Sequence, residues 1–144
     1  MEHTRGKRST AALDTLLGEA SWLLSHAEAL ADYGRTEEAE GELTRAARCE
    51  EQVACLLDAA GREQEAVLHR VSAASCYEQM GEYARAVTLL RAALSAVVAG
   101  EYRRRIEQHL ARCLIKANAE ARRSAPKQLA SRRRSVSPGT AVRE

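Results

Sequence analysis

Residues 81–94 read GEYARAVTLLRAAL, and this stretch decides the fold. Gly81 opens it, Tyr83 follows two places on, and Ala86, Leu90, Ala93 and Leu94 then recur at steps of three and four. With 3.6 residues to a helical turn, that spacing lays them along one side of a helix. Val87 and Val97 extend the stripe, while Arg85 and Arg91 stand opposite it. A glycine just ahead of such a stripe marks a corner, because glycine enters the left-handed backbone region at little cost.

Working outward, Gly34, Gly61 and Gly100 punctuate the chain in the same way. Four corners predict five helices, over about 10–33, 36–60, 62–80, 82–99 and 101–123. The first carries an apolar seam through Leu13, Leu16, Ala20, Leu23, Ala27 and Leu30. The second runs Ala39, Leu43, Ala46, Cys49, Val53, Leu57 and Ala60, with Glu37, Glu38, Arg48, Glu50 and Glu51 expected on the remaining surface. The fifth runs Tyr102, Ile106, Leu110, Cys113, Leu114 and Ala117. No segment alternates apolar and polar residues with the period of two that a half-buried strand needs. The fold class is therefore all-α, built of stacked antiparallel helical hairpins.

Composition agrees. The 144-residue chain has one Trp and no Phe, so burial relies on Leu, Val and Ala, and small residues let helices approach closely. We expect a flexible N-terminus over residues 1–8, a helical domain over 9–123 and a disordered Arg/Ser-rich tail over 124–144, where Pro126 and Pro138 flank a run that offers no apolar face. Charge is divided unevenly. Residues 1–100 hold 10 Lys/Arg against 16 Asp/Glu, a net −6, whereas residues 101–144 hold 12 against 4, a net +8.

Three segments share one pattern: GRTEEA at 34–39, GREQEA at 61–66 and GEYARA at 81–86, each with alanine five places after glycine. A small residue one turn into a helix lets it lie close to the helix before. Gly81, Tyr83, Ala86, Leu90, Ala93 and Leu94, preceded by Ala74 and Tyr77, resemble a tetratricopeptide hairpin, and Gly34, Ala39, Leu43 and Ala46, preceded by Ala27 and Leu30, are similar to a second. The likeness extends over roughly residues 18–120. Its glycines lie 27, 20 and 19 residues apart, so the repeat is irregular beside the family's period of about 34.

What the resemblance implies is protein binding: a scaffold or adaptor whose first helix of each hairpin lines a concave groove. Carried onto this chain, the groove positions are Ser21, Leu24, Glu28, Ala31 and Asp32 on the first hairpin, and Leu68, Val71, Ser75, Glu78 and Gln79 on the second. Their acidic character suits a basic partner. The partner's identity is not readable, the short array suggests either self-association or a piece of a longer design, and the basic tail could fold back onto the acidic body, its own or a neighbour's. The alternative is nucleic acid, contacted through Arg103, Arg104, Arg105, Arg112, Lys116, Arg122 and Arg123 and the tail residues Arg132, Arg133 and Arg134. Against it, the tail has no aromatic residue to stack on bases.

Chemistry is sparse. No nucleophile, metal or phosphate-loop motif occurs, so neither catalysis nor a cofactor is expected. His109 and Cys113, four apart on one helix, provide two metal ligands where a site needs three or four, and no neighbouring residue supplies the rest. Cys49, Cys55, Cys76 and Cys113 show no C-x-x-C and are expected to be reduced, buried thiols. No apolar run reaches the ~18 residues of a membrane span and the first ten residues lack a secretory core, which together predict a cytoplasmic protein without membrane contact.

Overall fold

The computed structural model describes the backbone of residues 2–135 and the side chains of residues 10–125. Five helices follow one another, α1 (Glu2–Asp32), α2 (Thr36–Ala59), α3 (Glu63–Gln79), α4 (Tyr83–Ser95) and α5 (Gly100–Ser135), and no strand is present among the described residues. Each packs chiefly on its neighbours in the chain, giving a stack of antiparallel hairpins. The expected tail from 124 lies mostly beyond the described side chains, although the backbone is helical to Ser135. At the other end the helical backbone begins at Glu2, ahead of the expected start.

The first three corners are alike. Gly34, Gly61 and Gly81 have φ of 75°, 74° and 75°. At each, the glycine N–H and the next residue's N–H donate back into the closing turn: Gly34 to Ala31 and Arg35 to Leu30, both 2.9 Å, with Gly61 to Asp58, Arg62 to Leu57, Gly81 to Glu78 and Glu82 to Tyr77 in the same pattern. This pair of bonds satisfies carbonyls that a helix end leaves open, and it requires a left-handed residue at the glycine.

The residue after each glycine pairs by charge with the residue three places on in the next helix, without its side chain bonding that helix's backbone N–H groups. Arg35 makes two bonds to Glu38 (2.8 and 2.6 Å), Arg62 does the same to Glu65, and Glu82 pairs with Arg85 at 3.4 Å with the signs reversed. The alanine five places on is buried in every case, Ala39, Ala66 and Ala86. The repeated hexamer thus encodes a turn, an ion pair and a close contact together.

The fourth corner is different. The spacing predicts that Gly100 closes the fourth helix, but α4 stops at Ser95 and Ala96 is extended (φ −78°, ψ 163°). Residues 96–99 form a short connector, and Gly100, with φ of 70°, opens α5 instead. Val97 accordingly leaves the buried seam where its spacing had placed it and is 83% exposed.

The seams otherwise lie inside. Leu23, Leu90, Ile106, Val53 and Val67 are fully buried, with Ala46, Ala47, Ala73, Ala74, Ala86 and Ala93 at the crossings. One cluster runs from Ala20 and Leu23 on α1 to Ile106 and Cys113 on α5, and a second joins Leu13, Val53, Ala54, Leu57 and Ala66 at the other end of the α1–α2 pair. Three positions depart from expectation. Glu50 is buried, because it pairs across the helix interface, Cys55 is exposed, and Ala60 is exposed beside the Gly61 corner.

Candidate functional site

The stack places α1 and the end of α3 on either side of the start of α2, and a cleft of about 380 Å³ opens between them. Its floor is apolar: Ala27 and Ala39 are buried and Leu24 and Leu43 half-buried. Its rim is polar, with exposed Glu28, Asp32 and Gln79, and Ala31 beside them. A hydrogen bond from Thr44 on α2 to the sulfur of Met80 (3.2 Å) fastens the end of α3 at this point, next to Gln79. Packing thus creates a small apolar recess with two carboxylates at its edge.

Of the groove residues expected from sequence, Leu24, Glu28, Ala31, Asp32 and Gln79 are brought together here. The others are not. Ser21 is exposed elsewhere on α1, and Val71 and Ser75 are half-buried, with the Ser75 hydroxyl donating to the Val71 carbonyl of its own helix. Leu68 lines a different cleft, of about 490 Å³, with Val67, Val97, Val98, Ala99 and Tyr102.

Glu78 turns away from the groove and toward α5. Its carboxylate accepts from Arg112 Nε (3.1 Å) and from the Cys113 thiol (2.8 Å), with Lys116 Nζ at 3.9 Å and His109 Nε2 at 2.9 Å. Burial pushes the Glu78 carboxyl upward, but the hydrogen bonds from Cys113 and Arg112 outweigh it and hold the group below its ordinary value. Burial lowers His109, so its imidazole stays neutral more readily, and lifts the Cys113 thiol to about 12. The His109–Glu78 approach does not have the alignment of a hydrogen bond, so the buried Nε2 makes none.

Two further carboxylate–imidazole pairs cross helix interfaces. Buried Glu50 on α2 meets His69 Nδ1 (2.5 Å) and the Ser72 hydroxyl (3.1 Å) on α3, and Glu42 lies 3.7 Å from His26, whose ring stacks on Trp22. Ser72 donates to Glu50 rather than to His69, so this trio holds no hydroxyl against the imidazole. Cys76 is buried and its thiol is raised to about 11 by burial, the reverse of what an activated nucleophile needs.

The basic residues of α5 are largely engaged. Arg103 bonds Glu107 and the Val98 carbonyl, Arg105 pairs with Glu101, Arg112 with Glu78, and Lys116 stands over the Tyr83 ring at 5.3 Å. Arg104, Arg122 and Arg123 are exposed, and the side chains of Arg132, Arg133 and Arg134 lie outside the described residues. Most of the described basic side chains of α5 thus have an acidic or aromatic neighbour, and all but Arg103 and Lys116 are exposed. No described helix is long and apolar enough to cross a membrane. Compared with known proteins, the chain matches no family model, no curated protein and no solved structure.

Proposed function

We propose that this chain is a non-enzymatic protein-interaction module of tetratricopeptide-like design, an adaptor or scaffold whose α1–α2–α3 cleft receives a basic peptide or helix. The observation that carries the reading is the pairing of an apolar floor, Leu24 and Leu43, with the exposed carboxylates of Glu28 and Asp32 at one rim. An apolar side chain of the partner fills the recess and loses its water, and flanking lysines or arginines meet the carboxylates. The rim charges steer encounter and select sign, while the recess supplies the slower dissociation. The floor is set by helix packing rather than by loops, so the cleft is formed before the partner arrives.

The test is titration of a fluorescent peptide bearing leucine between arginines, at physiological salt, against the full chain and its Glu28→Lys/Asp32→Lys and Leu43→Ala variants. Reversing both carboxylates is expected to weaken binding at least tenfold, and Leu43→Ala to weaken it at unchanged salt dependence. Affinity indifferent to both changes refutes the cleft. Titration of single-stranded RNA in parallel addresses the alternative: tight binding that collapses with salt, and that Arg104, Arg122 and Arg123 control, replaces the peptide reading with a phosphate-binding one.

A further inference from the structure

The side chains around Glu78 contain a ligand set that no stretch of sequence displays. His109 and Cys113 lie four residues apart on one face of α5, and Glu78 reaches them from α3. One ligand atom from each of Glu78, His109 and Cys113 lies within 4.8 Å of the other two. His109 is 8% exposed, and its Nε2 is buried with no hydrogen-bond partner. A buried imidazole nitrogen without a hydrogen-bond partner is costly, and this one lies 2.9 Å from the Glu78 carboxylate that also holds the Cys113 thiol.

We propose that Glu78, His109 and Cys113 form a Zn²⁺-class metal site that ties α5 to α3. A tetrahedral ion with bonds of ~2.0–2.3 Å to N, O and S sets its ligand atoms ~3.3–3.7 Å apart. The contacts bracket these edges: Glu78 lies 2.8 Å from Cys113 and 2.9 Å from His109, inside the edge length, and the full set spans no more than 4.8 Å. Opening the two Glu78 contacts to that edge length makes room for the ion. A thiolate, an imidazole and a carboxylate favour Zn²⁺ or Co²⁺ over Mg²⁺ or Ca²⁺, which take oxygen ligands. The fourth position is filled by water.

Charge balances in the process. The Cys113 thiol gives its proton to buffer, the S–metal bond forms, and the Glu78 carboxylate exchanges its bonds from Arg112 and Cys113 for one to the ion. The two anionic ligands then offset the ion's two charges. Arg112 and Lys116 compete for the same carboxylate, but their side chains are 52% and 42% exposed and free to swing into solvent. That competition gives the proposal a distinctive consequence: deleting either cation strengthens metal binding.

The experiment uses the full chain, reduced and stripped with chelator, with Zn²⁺ and Co²⁺ as probes. One ion per chain is expected, and Co²⁺ should give a thiolate-to-metal charge-transfer band with the intense visible bands of a tetrahedral site. Cys113→Ser should abolish the charge-transfer band, and Cys55→Ser should leave it unchanged. Glu78→Gln and His109→Gln should weaken Zn²⁺ binding by more than the ~10-fold that even outer-shell changes cost. Arg112→Ala and Lys116→Ala should tighten it. No stoichiometric ion, a band that survives Cys113→Ser, or Glu78→Gln binding as tightly as the parent overturns the site. Should the buried Cys113 variant fail to fold, Glu78→Gln and Arg112→Ala, at partly exposed positions, decide the matter with opposite signs.

Discussion

Replacing Gly61 by alanine, and separately Gly41 by alanine, should move stability in opposite directions. Both glycines have open space around a built Cβ, so no clash separates them; the backbone does, with Gly61 at φ 74° and Gly41 inside α2. An L-residue in the left-handed region costs ~1–2 kcal/mol, and the stiffer unfolded chain returns ~0.4–1 kcal/mol of that. Gly61→Ala should therefore lose about 1 kcal/mol. Gly41→Ala should gain ~0.5–1 kcal/mol, because helical glycine is poorer than alanine by that amount. The difference, ~2 kcal/mol, corresponds to ~6 °C in Tm for a domain of this size. Thermal and urea unfolding followed by circular dichroism read both values. Gly34→Ala and Gly81→Ala should track Gly61→Ala, and Gly18→Ala should track Gly41→Ala. If Gly61→Ala proves as stable as Gly41→Ala, the corners do not depend on the left-handed conformation and the account of the fold fails.

Other outcomes follow from burial and pairing. Leu23→Ala and Leu90→Ala, at fully buried positions, should each cost ~3 kcal/mol in urea unfolding, whereas Ile115→Ala, 70% exposed, should stay within ~0.5 kcal/mol of the parent. His69→Ala leaves buried Glu50 without its imidazole and should cost ~1–3 kcal/mol, with His69→Gln less damaging because its amide can still donate. A thiol reagent at neutral pH should label one cysteine quickly, the exposed Cys55; Cys76 and Cys113, buried and raised to about 11 and about 12, should react only on denaturation, and rapid labelling of either by peptide mapping would contradict the packing.

Much of this architecture was legible in the chain, and the reason lies in two residue types. Glycine is nearly alone in tolerating positive φ, so Gly34, Gly61 and Gly81 announce their corners directly, and leucine and alanine at helical spacing announce which side is buried. Val97 deceived because its spacing continues the seam, yet the turn into α5 extends the backbone at Ala96 and takes Val97 into solvent. Cys55 could have been placed correctly: it lies two residues from both Val53 and Leu57, about 200° around the helix and so off their stripe. Part of the cleft was legible, since Leu24, Glu28, Ala31 and Asp32 follow one helix face. The carboxylate–imidazole pairs were not. Glu50 and His69 stand 19 residues apart and Glu78 and His109 31 apart, and pairing of that kind belongs to the relative rotation of two helices, which no one-dimensional period contains.

The preference of each helix for its neighbours in the chain also governs how the molecule comes apart. α2, α3 and α4 are held on two sides, while α1 and α5 are held chiefly on one, so amide exchange should be slowest in the middle and quicken toward either terminus. Because few contacts bridge distant parts of the sequence, assembly can begin at any hairpin and spread outward, which favours rapid folding. By the same logic, a hairpin with the right corner and the right seam could be spliced in or removed, altering the length of the molecule while leaving distant interfaces as they are.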